Sequence, residues 1–471
     1  MKPRLYLLLT MLLTALLPMA AAQPAPAEAR QDTQKRSNLY RLLLKDKNHS
    51  TYTIDAPAKF LSRKSLERRR KQGIAVDSTD LPVSPFYLNE LKKRGAQIVA
   101  TSRWLNSVVI ACDNPLLIKG LCDQPFVASY AIVWQSPDST AEYRHHKQIH
   151  DSFNPWDSVK TSRYAASDRQ ISTLNGKRLH EMGYTGKGMT IAVLDGGFEN
   201  ADVIHAFRRT RIEGYMDFVY PQSDNIFHET DHGTKVLSLM AANTPHVFIG
   251  TAPAASYWLL RCEDQKSEQP VEEDYWVMAA EYADSVGADL INSSIGYTQF
   301  DHHLLDHQYG EMDGQTAFIS RAASMLADKG IVLVNSAGNN GMGPWKKISF
   351  PADAMDILTV GAVTTTLTNA PFCSVGPTQD GRVKPDVMAI GSPAYLISGR
   401  GTLTQDMGTS FSTPLVCGLT ACLWQALPHL TAKEIIRIVR QSGSNPDNPD
   451  NIYGYGLPDF ETAWKQGKGE Q

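Results

Sequence analysis

The stretch "MGTSFSTPLVCGL", residues 407–419, sets Thr409, Ser410, Ser412 and Thr413 within five positions, just before Pro414 and the apolar run "LVCGLTACLW". A continuous apolar run of this length after a Gly and small hydroxyls reads as a buried helix with a polar mouth. Two roles are open to the hydroxyls. They cap the helix, as Ser and Thr do at helix starts, or one of them does chemistry there. Pro414 is expected in the first turn of the helix, where its missing N–H costs nothing.

Working outward, the chain upstream alternates apolar strands with helices. "GMTIAVLDGGF" (188–198), "SYWLLRC" (256–262), "GADLINSSIG" (287–296) and "GIVLVNSAGN" (330–339) read as buried strands with small polar residues at their ends. "EEDYWVMAAEYADSVG" (272–287) and "GQTAFISRAASMLADKG" (314–330) read as helices between them. This order predicts an α/β fold, a parallel sheet with helices on both faces. Ligands of such sheets bind at the carboxyl ends of the strands, where the polar residues collect here.

The first third of the chain reads differently. "LYRLLLKDK" (39–47) is a strand, "SRKSLERRRKQG" (62–73) a charged helix ending at Gly73, and 84–112 a helix followed by two strands. With "PFVASYAIVW" (125–134) these make a small α+β module. Residues 135–162, with His145, His146 and His150, are polar and aperiodic. They read as a linker, because the histidines have no organised zinc geometry around them. The N-terminus, "MKPRLYLLLTMLLTALLPMAAAQ", has a basic start, a short apolar stretch and Ala20-x-Ala22. That is the layout of a signal peptide cleaved near Ala22, and it predicts an exported, extracellular or periplasmic protein with no membrane span in its mature chain. Residues 24–37 read as a flexible leader.

The 471 residues carry a formal net charge of −3, so nothing global points to nucleic acid. The charge is split, however. Residues 23–134 hold 18 Lys/Arg against 10 Asp/Glu, a net +8, and residues 135–471 hold 26 against 39, a net −13. Opposite charges of this size suggest that the two parts dock. Six Cys are too few for a disulfide scaffold; Cys112 and Cys122 either pair or remain thiols. The acidic clusters "ENAD" (199–202) and "EEDY" (272–275) read as solvated faces.

Three residues stand where chemistry is expected. Asp195 closes the strand "TIAVLD", His232 opens the helix of "DHGTKVLSLMAA", and Ser410 lies in the first stretch quoted. A serine becomes nucleophilic when a histidine takes its proton and a carboxylate orients that histidine. Singly, each residue could be a turn or cap residue. Together, in the order Asp, His, Ser, they match one known arrangement. The chain resembles the subtilases, the subtilisin-like serine endopeptidases, over about residues 165–465. "VLDGG" resembles the Asp motif, with Gly196 where Thr or Ser is usual. "DHGTKV" resembles the His motif, and "GTSFSTP" the Ser motif with Phe411 where Met or Ala is usual. "NSAGNNG" (335–341) resembles the oxyanion-hole segment.

The resemblance implies a subtilisin-like α/β catalytic domain over 163–465, preceded by a propeptide-like inhibitor and chaperone module (23–134). The activity implied is peptide-bond hydrolysis through an acyl-enzyme on Ser410, with His232 as general base and Asp195 orienting it. Asn339 and the Ser410 N–H would hold the oxyanion. "SSIG" (293–296) and "SFPAD" (349–353) resemble the substrate-pairing strand and the base of the primary pocket, making Ser294, Ile295, Gly296 and Ser349 the substrate-binding residues. The partners implied are peptide or protein substrates and the chain's own propeptide. No cofactor or metal is implied for catalysis, and a structural calcium is left without assigned ligands, since no EF-hand-like acidic loop is present. Two other readings are a catalytically inactive binding protein on the same fold and a narrow processing protease, with Trp345, Lys346 and Lys347 restricting the pocket.

Overall fold

A computed structural model describes residues 38–135, 162–223 and 225–469. The signal-like segment, the leader and nearly all of the linker lie outside the described residues. Among the described residues no helix is long and apolar enough to cross a membrane.

Strand Thr190–Asp195 is buried at every position. Successive side chains of a strand point to opposite faces. Ile191 and Val193 accordingly belong to one core cluster, and Ala192 and Leu194 to another. A strand apolar on both faces must sit inside a sheet covered on both sides. It is an interior strand, fifth of seven in the order Val387–Ser392, Leu358–Thr364, Val332–Ser336, Leu290–Ser293, Thr190–Asp195, Ser256–Arg261, Arg211–Asp217. All six pairings are parallel. From Thr190–Asp195 the chain builds first to one side and then, from Leu290 on, to the other. The order reverses beside Asp195, and crevices for ligands open at such a reversal.

Helices His232–Ala241 and Thr409–Ala426 cover one face, and Val271–Val286 and Phe318–Met325 the other. Helix Thr409–Ala426 is buried from Thr409 through Trp424, as an all-round apolar helix requires. Pro414 is not in its first turn but at its sixth position. A proline there cannot donate to the carbonyl four residues back, that of Ser410. The freed Ser410 carbonyl instead accepts from the Ser294 hydroxyl at 2.9 Å.

The α+β module forms a four-stranded antiparallel sheet in the order Gln97–Ser102, Ser107–Ala111, Leu39–Leu44, Val127–Trp134. Helix Arg63–Gln72 begins at the Ser62 side chain, which accepts from Ser65 N, and ends at left-handed Gly73. One face of the sheet, with Leu42, Leu44, Val108 and Ile110, forms the module's own core. The other face, with Leu39, Val109, Val133 and Trp134, joins the cluster built around Trp276 and Val277 of helix Val271–Val286. Each buried valine on that face contributes about 1.5–3 kcal/mol of apolar burial.

The charge split has a direct counterpart. Arg41 donates to both oxygens of Asp274, and Arg68, Arg69 and Arg103 converge on Asp284. Glu281 accepts from Ser102 Oγ, Arg103 N and Trp104 N. This corrects the reading of "EEDY" as a solvated face: Glu272, Glu273 and Asp274 are buried, the last two against Arg41. In "ENAD", Asn200 and Ala201 are buried and Asp202 is exposed. Cys112 and Cys122 are both free thiols, so the pairing considered for them does not form.

Candidate active site

The site is assembled at the carboxyl end of the sheet. Asp195 is the last residue of its strand and wholly buried. Its Oδ1 accepts from Gly196 N at 2.8 Å and meets His232 Nδ1 at 2.8 Å. His232 is the first residue of its helix. The helix comes so close to the Asp195 loop that a Cβ on Gly233 would lie 2.4 Å from Gly197 O and 2.9 Å from Asp195 Cβ. Only glycine follows His232 without pushing the two apart. Arg261, buried between Asp217 and Glu229, donates to Gly196 O at 2.9 Å and braces the same loop.

Burial opposes a charge on His232, but the Asp195 carboxylate outweighs it by charge and hydrogen bond, with Glu263 adding to it. The imidazole is held at about 9 against an ordinary 6.5. A reaction that needs neutral His232 is therefore favoured by rising pH. The acid limb of kcat/KM is expected to fall above 6.5, toward 9. A pH–rate profile whose limb falls at or below 6.5 would contradict that field.

Ser410 is the second residue of helix Thr409–Ala426, where a backbone N–H has no acceptor within the helix. Its hydroxyl donates to Ser294 O at 3.3 Å rather than to His232. The Ser410 carbonyl in turn accepts from Ser294 Oγ, so the strand end at 294 and the helix mouth are tied by two hydrogen bonds. Phe411, next in the chain, is buried with its ring centroid 5.7 Å from that of His232. This contact brings the His232 helix and the Ser410 helix together.

Asn339 follows strand Val332–Ser336 and is exposed. Its Oδ1 accepts from Thr409 N at 2.9 Å and Thr409 Oγ1 at 3.0 Å. Those two donors fix which end of the carboxamide is oxygen. The NH₂ group is left as a donor beside Gly408, whose Cβ would lie 3.7 Å from Asn339 Nδ2. Thr409 therefore anchors Asn339, a role that shows only in the three-dimensional arrangement. Ser349 is buried against Gly296: a Cβ on Gly296 would meet Ser349 Oγ at 2.2 Å. Ile295 belongs to the core cluster with Trp276, Tyr297 and Phe350. Lys347 is tied to Gly376 O at 2.7 Å and lies over the Tyr309 ring, and Lys346 is exposed.

The arrangement holds an acid–imidazole pair, a serine at a helix mouth, and two N–H donors near that serine. Such parts serve acyl transfer. The subtilase family model matches residues 186–456, more than half of the chain and spanning all of these residues. The chain belongs to the subtilase family. It is a serine-type endopeptidase, and a second family model, the peptidase S8 propeptide domain of Bacteroidota, matches residues 39–150. Subtilisin NAT of Bacillus subtilis subsp. natto is 28% identical over 296 residues, covering 62% of this chain and 70% of that protein. Subtilisin DY of Bacillus licheniformis is 28% identical over 296 residues, 62% of this chain and 97% of that protein. The thermostable alkaline protease of Halalkalibacterium halodurans is 26% identical over 292 residues, 61% of this chain and 70% of that protein.

This subtilase also carries an acidic group that no motif announced. Glu263, directly after strand Ser256–Arg261 and Cys262, stands near Asp195 and His232; burial and then Asp195 raise its carboxyl to about 7. Glu263 and Gln265 also account for Gly196. A Cβ there would lie 2.7 Å from Glu263 Oε2 and 2.7 Å from Gln265 Nε2, so the Thr or Ser usual at this position would displace those two side-chain ends.

Proposed function

We propose that this subtilase is exported and made as a zymogen, and that it cleaves peptides through Ser410, His232 and Asp195. The observation that carries this reading is the 2.8 Å Asp195–His232 contact beside the mouth of the Ser410 helix. Neutral His232, its Nδ1–H held by Asp195, takes the Ser410 proton on Nε2 as Oγ bonds to the substrate carbonyl carbon. The carbonyl oxygen gains the negative charge and is held by Asn339 Nδ2 and the Ser410 N–H. His232 then gives its proton to the leaving amine. Water repeats the sequence on the acyl-enzyme and frees Ser410. Before reaction, Ser410 must turn from Ser294 O toward His232. The test is labelling with a fluorophosphonate: covalent modification of Ser410 supports the reading, and an unlabelled protein with an intact fold would reduce it to a binding module.

Asn339→Ala is expected to lower kcat by about 10²–10³, with KM little changed, because its NH₂ meets charge that exists only in the transition state. A sharp rise in KM with unchanged kcat would make Asn339 a binding residue instead. The signal-like segment 1–22 supports export.

A further inference from the structure

The loop between strand Ser256–Arg261 and helix Val271–Val286 returns three carboxylates to one place. One oxygen each from Glu263, Glu268 and Glu272 lies within 4.8 Å of the others. Glu272 is fully buried and is fixed by two backbone donors of its own loop, Gln269 N to Oε1 at 3.1 Å and Asp264 N to Oε2 at 3.2 Å. Glu263 and Glu268 are partly open to solvent. Like charges this close repel by several kcal/mol if all are ionised and nothing lies between them. Burial and mutual repulsion raise Glu268 to about 8 and Glu272 well above its ordinary range.

A second observation points to a ligand. The Tyr297 hydroxyl, on a residue only 1% exposed, has no hydrogen-bond partner among the described residues, and the groups whose charges act on it include Glu272, Glu263 and Glu268. Gln269 Oε1, 5% exposed, is likewise unpartnered, while its Nε2 donates to Asp301. Buried polar atoms are nearly always satisfied. Two left open beside a carboxylate trio mark a place where a further group completes the set.

We propose that Glu263, Glu268 and Glu272 bind one hard divalent cation, with Gln269 Oε1 as a further oxygen and Tyr297 OH donating to a ligand oxygen or to a bound water. All the donors are oxygen, which selects against soft metals. Calcium takes six to eight oxygen ligands in flexible geometry, whereas magnesium demands near-octahedral order. Bound there, the ion neutralises Glu263 beside Asp195 and His232, and ties the 263–272 loop to the side chains that crowd Gly196.

The test uses full-length Ser410→Ala protein, which does not digest itself, stripped with a chelator. Calcium, magnesium and terbium are the probes. Glu263→Gln/Glu268→Gln in that background should bind one calcium fewer per chain by calorimetry and lose terbium luminescence sensitised by nearby aromatics. Without cation, the double variant should melt at or above its parent, because like-charge repulsion is gone. With calcium, the parent should overtake it. Glu268→Gln alone, at the more open position, should show the same crossing at smaller size. Equal calcium stoichiometry in parent and double variant would overturn the proposal. So would an unchanged stoichiometry together with loss of preference for Lys or Arg in peptides cut by the Glu263→Gln/Glu268→Gln enzyme, since the trio would then read a basic substrate side chain.

Discussion

Ser410→Ala protein is expected to hydrolyse peptides about 10⁵–10⁶-fold more slowly than the wild type, and His232→Ala protein about as slowly. Losses on that scale follow removal of either residue from subtilisin, because nucleophile and base act as one unit. The geometry supports the same expectation here. Asp195 and His232 are locked together at 2.8 Å, and the loop carrying Asp195 is braced by Arg261 and pressed against Gly233. Without Ser410 this pair has no hydroxyl to deprotonate. Asp195→Ala should cost less, because the base remains and only its orientation and charge stabilisation are lost. Activity of Ser410→Ala within tenfold of wild type would remove Ser410 from the mechanism.

The same variant reads out maturation. Strand Val127–Trp134 is the last of the module and is followed in the sequence by the linker, whose expected target is the strand end at Ser294. An extended segment pairing there is the geometry expected of both substrate and inhibitor. Wild-type protein should cut itself between about residues 134 and 162, and purified Ser410→Ala protein should keep the module attached. Normal processing of the mutant in the absence of other proteases would exclude self-cleavage.

What was legible in the sequence, and what was not, follows from where each signal resides. The central strands announced themselves because a strand buried on both faces is continuously apolar, as "TIAVLD" is. Arg211–Asp217, at the edge of the same sheet, did not. Its side chains are mostly exposed, and Gly214 lies under the Trp258 ring, so neither an apolar run nor clean alternation marks it. The motifs around Asp195, His232, Ser410 and Asn339 were legible because each is short and local. The Glu263–Glu268–Glu272 group was not, since it exists only once its loop has turned back on itself. Pro414 was placed a turn too early, because the sequence does not show that Ser294 satisfies the carbonyl it frees. "EEDY" was read as solvated because a partner domain is invisible to helical periodicity. The charge difference between the two parts was the better guide.

That charge difference concentrates on Asp284. Its carboxylate has no exposure and accepts from Arg68, from Arg69 at 2.8 Å and from Arg103 at 2.8 Å, all three from the N-terminal module. Burial alone would raise it, but Arg68, Arg69 and Arg103 outweigh burial and hold it below its usual range. Arg69 is shared with Asp80, which also meets Lys329, and Arg103 with Glu281, so four cations face three carboxylates. Removing one carboxylate from such a buried group leaves uncompensated charge, at a cost of about 3–5 kcal/mol. The charge partners of Asp284 come from the module, so the cost is borne by the complex and not by the released catalytic domain. In processed wild-type protein, where the module is held without a covalent link, Asp284→Ala should weaken its retention by about two to four powers of ten. Activity should then appear with little lag after cleavage, and kcat of the fully released enzyme should be unchanged. Asp284→Asn, which keeps the shape and loses the charge, should show most of the effect. Retention within threefold of wild type would mean that the shared apolar face around Trp134 and Trp276 holds the module, with the arginines only setting its register.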